Sequence, residues 1–228
     1  MTLVLLAHGT CQPAGPRTVE ALAARVRLRL PGVPVRTAYA EINRPSLTDV
    51  LAETGDAVLV PLPCAYDVAQ PLAPSAPGGA LVSESLGSDR LLAGVMRQQL
   101  QAAGARPGQP VVMVAAGSPL PRTQRDSART AALLEEVWGG PVRAAHLTGR
   151  GPRMSEVVAE LRADFGAPPA VATYLVAPGP FHHRAREDAR ALALDVVADP
   201  MGDHPQVAEA VARRYRSATA HRFALSLS

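Results

Sequence analysis

The chain has 228 residues, 47% of them hydrophobic and only 4% aromatic, with a formal net charge of +3 and a pI near 9.3. This length allows one large domain or two ordinary ones, with cores of Ala, Val and Leu. The charge is too mild, and too free of basic–aromatic stripes, for a nucleic-acid reader, and no apolar run approaches the ~18 residues of a membrane span.

All 23 basic side chains are arginine. That excludes chemistry needing a catalytic lysine and supplies planar forks suited to carboxylates. The N-terminus carries neither a basic leader nor a cleavage-like site, so a cytoplasmic protein is expected. Two cysteines, Cys11 and Cys64, are too few for a disulfide framework and read as free thiols.

Thr2 to Leu6 is an apolar, β-rich run that stops at Ala7-His8-Gly9-Thr10. A loop over 11–16 with Pro13, Gly15 and Pro16 is expected next, then a helix from Thr18 to Leu30 with Val19, Leu22, Ala23, Val26 and Leu30 on one face. Val33 to Tyr39 reads as a strand, Pro45 to Glu53 as a helix, and Ala57 to Leu62 as a fully buried strand. A Pro/Gly/Ser-rich loop over 71–80, a short strand over 80–82, a helix over 90–103 and a linker over 104–110 complete the first half. Strands are then expected at 111–115, 142–147, 170–176 and 194–197. The helices between them are expected at 122–137, 153–162, from His183 to about Ala193, and over 205–215, with a disordered tail. Alternation of this kind implies parallel sheets with right-handed crossovers.

The second half repeats the first. Ala7-His8-Gly9-Thr10 aligns with Ala115-Ala116-Gly117-Ser118, the segment 45–51 with 152–158, and Tyr66-Asp67 with Phe181-His182. The expected fold is therefore α/β with two similar domains, 1–106 and 107–228. Each is a parallel sheet flanked by helices, with a cleft between them. Ligands of open α/β sheets bind beyond the carboxyl ends of the strands, and clefts between domains are common ligand sites.

Three strand ends of the first half offer His8, Glu41 and Asp67; the matching ends of the second offer Ala116, Thr148 and His182, with His183 beside it. Imidazole and carboxylate together ligate Zn, Fe, Co or Ni and act as acid and base near neutral pH. Each residue also has an ordinary reading. His8 can be a locally bonded loop residue, Asp67 a turn residue, Glu41 a surface partner of Arg44, and one of His182 and His183 plain solvated surface. Asp203 is a plausible cap for the last helix, with Pro205 in its first turn, which makes His204 structural. His146 ends a strand and His221 lies in the tail; neither has an assigned role. A histidine-phosphatase motif, Leu-x-Arg-His-Gly, is excluded because Ala7 stands where the phosphate-clamping arginine belongs.

In order and spacing these features resemble the class II chelatases of the CbiX/SirB type, the sirohydrochlorin cobalto- or ferrochelatases, in their long duplicated form. The matching residues are Leu6-Ala7-His8-Gly9-Thr10, Glu41 with Arg44-Pro45-Ser46-Leu47, Val60-Pro61-Leu62 before Tyr66, Ala116-Gly117-Ser118-Pro119, Tyr174-Leu175 with Gly179, Arg184, and His204-Pro205 with the helix to Tyr215. The resemblance implies insertion of a divalent ion, Co²⁺ or Fe²⁺ with Ni²⁺ or Zn²⁺ also suited, into an acidic metal-free tetrapyrrole. The metal is then a substrate, and no organic cofactor, nucleic acid or membrane is involved. A monomer suffices, because one chain carries both repeats.

The resemblance makes His8 a metal ligand; taken with the matching strand ends, the catalytic candidates are His8, Glu41 and Asp67, and the metal-ligand candidates His8, Asp67, His182 and His183. Thr10, Tyr66, Ser118 and Arg184 hold the substrate. The family's second histidine, in a Gly-Tyr-His pattern, is here Asp67 in Ala65-Tyr66-Asp67, while His183 stands where an acid precedes Arg184. Two outcomes are open: a hybrid site using His8 with His182 or His183 and with Glu41 or Asp67 in support, or a chelatase-fold paralogue that binds metal or tetrapyrrole, or runs other chemistry, without chelatase activity.

Overall fold

The structure is a computed structural model and describes residues 1–63 and 79–226. Contacts divide the chain into two units, Met1–Leu86 with Asp203–Ser228, and Gly87–Gly202.

The first unit holds β1 (Thr2–Ala7), α1 (Ala14–Arg29), β2 (Val35–Tyr39), α2 (Leu47–Thr54), β3 (Ala57–Pro61) and β4 (Leu81–Val82). The second holds α3 (Arg90–Ala102), β5 (Val111–Ala115), α4 (Pro121–Trp138), β6 (Val142–His146), α5 (Met154–Phe165), β7 (Ala170–Thr173) and α6 (Pro180–Ala191). The last helix, α7 (Pro205–Ser226), returns to the first unit. The sheet orders are β2-β1-β3-β4 and β6-β5-β7, all parallel. An isolated parallel bridge between Val171 and Val197 stands where β4 pairs with β3.

The inner strands β1, β3 and β5 are buried on both faces and almost wholly apolar, whereas β2 and β6, at the sheet edges, carry Arg36 and Arg143. Val4, Leu6, Ala38 and Leu59 pack against Leu47, Val50 and Leu51 of α2. Leu3 and Leu5, of opposite parity, face the other way and are equally buried. In the second unit Val112, Val114, Ala145 and Val171 pack under α5 and α6 through Val157, Val158, Leu161, Ala185 and Ala189.

The units differ from the halves expected at 106/107. Helix α3 packs on α4 and β7 of the second unit, and α7 packs on α1 and β3 of the first. Each repeat thus gives its final helix to the other unit's sheet. The reason is burial: α3 needs cover for Leu92, Val95, Met96 and Leu100, and α7 for Val207, Ala208 and Val211, all fully buried.

Four local expectations are corrected. Helix α1 begins at Ala14 rather than Thr18; Pro16 is accommodated because first-turn N–H groups have no helical acceptor. The strand over 194–197 is a single bridge. The tail continues α7 to Ser226. Asp203 does not cap that helix: it pairs with Arg25 at 2.7 Å, and His204 Nδ1 accepts the N–H of Gln206 at 3.2 Å instead.

Candidate functional site

The carboxyl ends of both sheets are built on one plan. In the first unit the N–H of Glu41 donates to His8 O at 2.9 Å, and that of Tyr39 to Pro45 O at 3.0 Å. In the second, Thr148 donates to Ala116 O at 2.8 Å, and His146 to Pro152 O at 2.9 Å. Gly9 (φ 110°) and Gly117 (φ 87°) occupy the same place, and a Cβ on either would lie 2.0 Å from the carbonyl oxygen of Glu41 or Thr148. Glycine is the residue that fits both the positive φ and the close approach. Thr10 Oγ1 accepts the N–H of Gln12 at 3.1 Å, as Ser118 Oγ accepts that of Leu120 at 3.0 Å. Both hydroxyls are buried. The duplication therefore extends to individual hydrogen bonds.

His8 follows β1 directly, and its Nε2 lies 3.8 Å from Glu41 Oε2, with the side chains 30% and 60% exposed. That is electrostatic contact beyond hydrogen-bond length, and both groups remain within reach of a ligand. The expected Glu41–Arg44 pair does not form. Arg44 bonds Asp49 at 2.7 Å, since the Ser46–Asp49 capping box holds that carboxylate at the start of α2. Two residues of this loop escaped sequence reasoning. Asn43 Oδ1 accepts the Thr10 N–H at 2.6 Å and fixes the His8 turn; only its position among turn residues hinted at this. Ile42 has φ 62° and is 64% exposed, within a tight turn closed by the Asn43 N–H on Glu41 O at 2.6 Å. A β-branched residue there is strained, and strain of this kind gathers at ligand sites.

Asp67 and Tyr66 lie outside the described residues, as does Cys64; Cys11 is a free, exposed thiol. In the second unit His182 opens α6, with its side chain 11% exposed and Nε2 3.9 Å from Asp199. Burial, with smaller effects from Arg186 and His183, lowers its pKa against the opposing pull of Asp199. The imidazole is thus held toward its neutral, metal-binding form. His183 is exposed and pairs with Glu187 at 3.4 Å, and Arg184 is exposed near Asp188 at 3.9 Å. Among the described residues, no three His, Cys, Asp or Glu side chains gather as a metal-binding group.

His146 is the residue the sequence left without a role. It ends β6, is 4% exposed, and neither ring nitrogen has a hydrogen-bond partner. Burial first, and the Arg153 charge second, lower its pKa. The loop after β6 wraps it: a Cβ on Gly151 would lie 2.5 Å from Nδ1, and Arg153 donates to His146 O at 3.1 Å and Gly149 O at 2.8 Å. Its counterpart in the first unit is Tyr39, whose phenol is pushed up to about 12 by burial and then by Glu20.

The CbiX family model matches residues 2–62 and 110–218, the greater part of the chain and both repeats. The chain belongs to the CbiX family. No curated protein matches it. Its fold is similar to that of SirB from Bacillus subtilis with Fe³⁺, with a TM-score of 0.76, 21% identity and 98% of each chain covered. It is also similar to the sirohydrochlorin chelatase SirB from Bacillus subtilis subspecies spizizenii in complex with cobalt (TM-score 0.71, 18% identity, 96% of this chain and 95% of that one). A third similar structure is DR2241 from Deinococcus radiodurans, a multi-domain protein with structural similarity to chelatases (TM-score 0.67, 21% identity), of which this CbiX-family chain spans 54%. The chelatase-like α/β fold with two parallel sheets is thereby established. Among the described residues no helix is long and apolar enough to cross a membrane.

Proposed function

We propose that this CbiX-family protein inserts a divalent metal ion, Co²⁺ or Fe²⁺, into an acidic metal-free tetrapyrrole of the sirohydrochlorin class. The observation that carries the reading is the His8–Glu41 pair, 3.8 Å apart at the carboxyl edge of the first sheet, on a turn that only Gly9 permits. Family membership and the metals of the two SirB structures support it.

In this reading His8 ligates the incoming ion through its neutral imidazole. Two pyrrole N–H protons must leave as a dication enters; Glu41 accepts one, and His8 accepts the other once it has passed the ion to the pyrrole nitrogens and its lone pair is free. Asp67 is the proposed replacement for the family's second histidine. His182 and His183 are the second unit's metal-binding candidates, and His182 is the better of the two because it is held neutral and is not engaged with Glu187. Thr10, Tyr66, Ser118 and Arg184 hold the substrate, the last through its fork on carboxylate. Ni²⁺ and Zn²⁺ suit the same ligands, and no organic cofactor takes part.

The test is the absorption change of sirohydrochlorin with Co²⁺ or Fe²⁺, measured against the uncatalysed rate. His8→Ala is expected to lose about 10²-fold or more, the weight of a positioned acid–base group, and His182→Ala less. Asp67, standing where the family has its second histidine, favours a second reading, binding of metal or tetrapyrrole without insertion. Saturable binding with no acceleration by any divalent ion selects it.

A further inference from the structure

The first unit carries a cavity of about 430 Å³ between the edge strand β4 and the second half of α7. It lies along the edge strand, two strands aside from the β1 that leads to His8. Arg222 reaches Asp56, the residue before β3, and the cavity wall begins at Leu81, where β4 starts, whereas His8 follows the last residue of β1. Through Val58 and Leu59 of β3, Leu81 and Val82 are level with Leu3 and Val4 of β1, and β4 lies two strands aside from β1, about 10 Å.

One wall is apolar, formed by Leu81 and Val82. The opposite wall carries Arg214, His221 and Arg222, brought to one face of α7 by helical spacing. Arg222 gives Nη2 to Asp56 at 3.2 Å, while its Nη1 is buried and has no hydrogen-bond partner. A buried guanidinium nitrogen left without an acceptor is costly. Arg214 gives one nitrogen to Leu86 O at 3.1 Å and meets Glu84, the one acid among the described lining residues, at 3.7 Å. His221 Nδ1 contacts Ser217 O at 3.2 Å.

We propose that this cavity is a binding site for a small organic carboxylate, with the carboxylate accepting from Arg222 Nη1 between Arg214 and His221, and the carbon body lying on Leu81 and Val82. A cationic end, an apolar wall and an unused buried donor together select an amphipathic anion over a neutral ligand or an inorganic one. The site is separate from the metal chemistry proposed for His8 and does not depend on it.

The test uses the full chain, hexanoate as probe and hexanamide as the uncharged match of the same shape, followed by calorimetry and by the NMR shifts of the His221 ring. Hexanoate is expected to bind saturably and to shift the His221 signals. Loss of the charge, in hexanamide or in Arg222→Gln, should weaken binding by about tenfold or more, as expected for a charge-assisted hydrogen bond. His221→Ala should weaken it less, and His8→Ala should leave it unchanged. No saturable hexanoate binding, equal affinity for hexanamide, or unaltered affinity in a folded Arg222→Gln protein would each overturn the proposal. Inorganic phosphate binding as tightly as hexanoate would overturn the assigned role of the apolar wall.

Discussion

Gly9→Ala and Gly117→Ala form a matched pair of perturbations. In both, the new methyl carbon meets a backbone carbonyl oxygen at 2.0 Å, Glu41 in one case and Thr148 in the other, and φ is positive at both. A left-handed conformation costs an L-residue about 1–2 kcal/mol, and forcing an extra methyl into a packed place costs about 1–3 kcal/mol more. Each variant should therefore lose about 3 kcal/mol, which for a chain of this size lowers Tm by about 10 °C. The two should differ in chemistry. Gly9→Ala pushes the Glu41 carbonyl, and with it the Glu41 carboxylate, away from His8; a misplacement of about 1 Å costs roughly 10²-fold. Gly117→Ala moves Thr148 beside Ala116, which stands in the place of His8, and brings the methyl 3.2 Å from Cβ of the buried His146, to which no metal chemistry is assigned. Urea unfolding gives the stabilities, and metal insertion per folded molecule gives the rates. Equal loss of activity in two equally folded variants would refute the assignment of the chemistry to the first unit, and a Gly9→Ala stability within about 0.5 kcal/mol of the parent would refute the geometry.

Three further outcomes are expected. Burial is the leading cause of the lowered pKa of His146, His182 and His204, so the unfolded chain takes up protons near the ordinary value of 6.5 while the folded chain does not. Stability should be full above about pH 6.5 and fall as the pH drops below it; His146→Gln should flatten that fall in urea midpoints, and parallel curves would contradict it. Gly151→Ala sets a methyl 2.5 Å from His146 Nδ1 at a φ of 104°, so it should destabilise the parent and cost less in a His146→Ala background, where only the backbone part of about 1–2 kcal/mol remains, read as a double-mutant cycle. Ser46→Ala removes the hydroxyl that accepts the Asp49 N–H and should cost about 1 kcal/mol by thermal unfolding, with no change if the cap is solvent-replaced.

Most of the fold was legible because its signals are local. Five-residue apolar strands, glycine after β1 and β5, and the Ser46-x-x-Asp49 cap each dictate structure within a few residues. The duplication was legible for the same reason, and it holds at the level of hydrogen bonds. What escaped was decided at long range. Nothing in residues 90–102 says which sheet will cover their apolar face; contacts group α3 with Gly87–Gly202. Arg44 was open to Glu41 or Asp49, and the capping geometry chose Asp49. His146 looked like any strand-ending histidine, because the Gly151 backbone that covers it is a tertiary contact. Asp67 and Tyr66 rest on family resemblance alone.

The exchange of final helices also fixes an order of events during synthesis. The second unit is continuous, Gly87–Gly202, and can close as soon as its own residues have emerged. The first cannot, since its α1 and β3 wait for α7, and the Tyr215 hydroxyl that bonds Met1 O at 2.9 Å is made 214 residues later. At roughly 5–20 residues per second this leaves β1 and its neighbours without that helix for some tens of seconds on the ribosome. The half that carries His8 is thus the last to mature, and the interval before α7 arrives is when its bare apolar surface is open to chaperones and to misassembly.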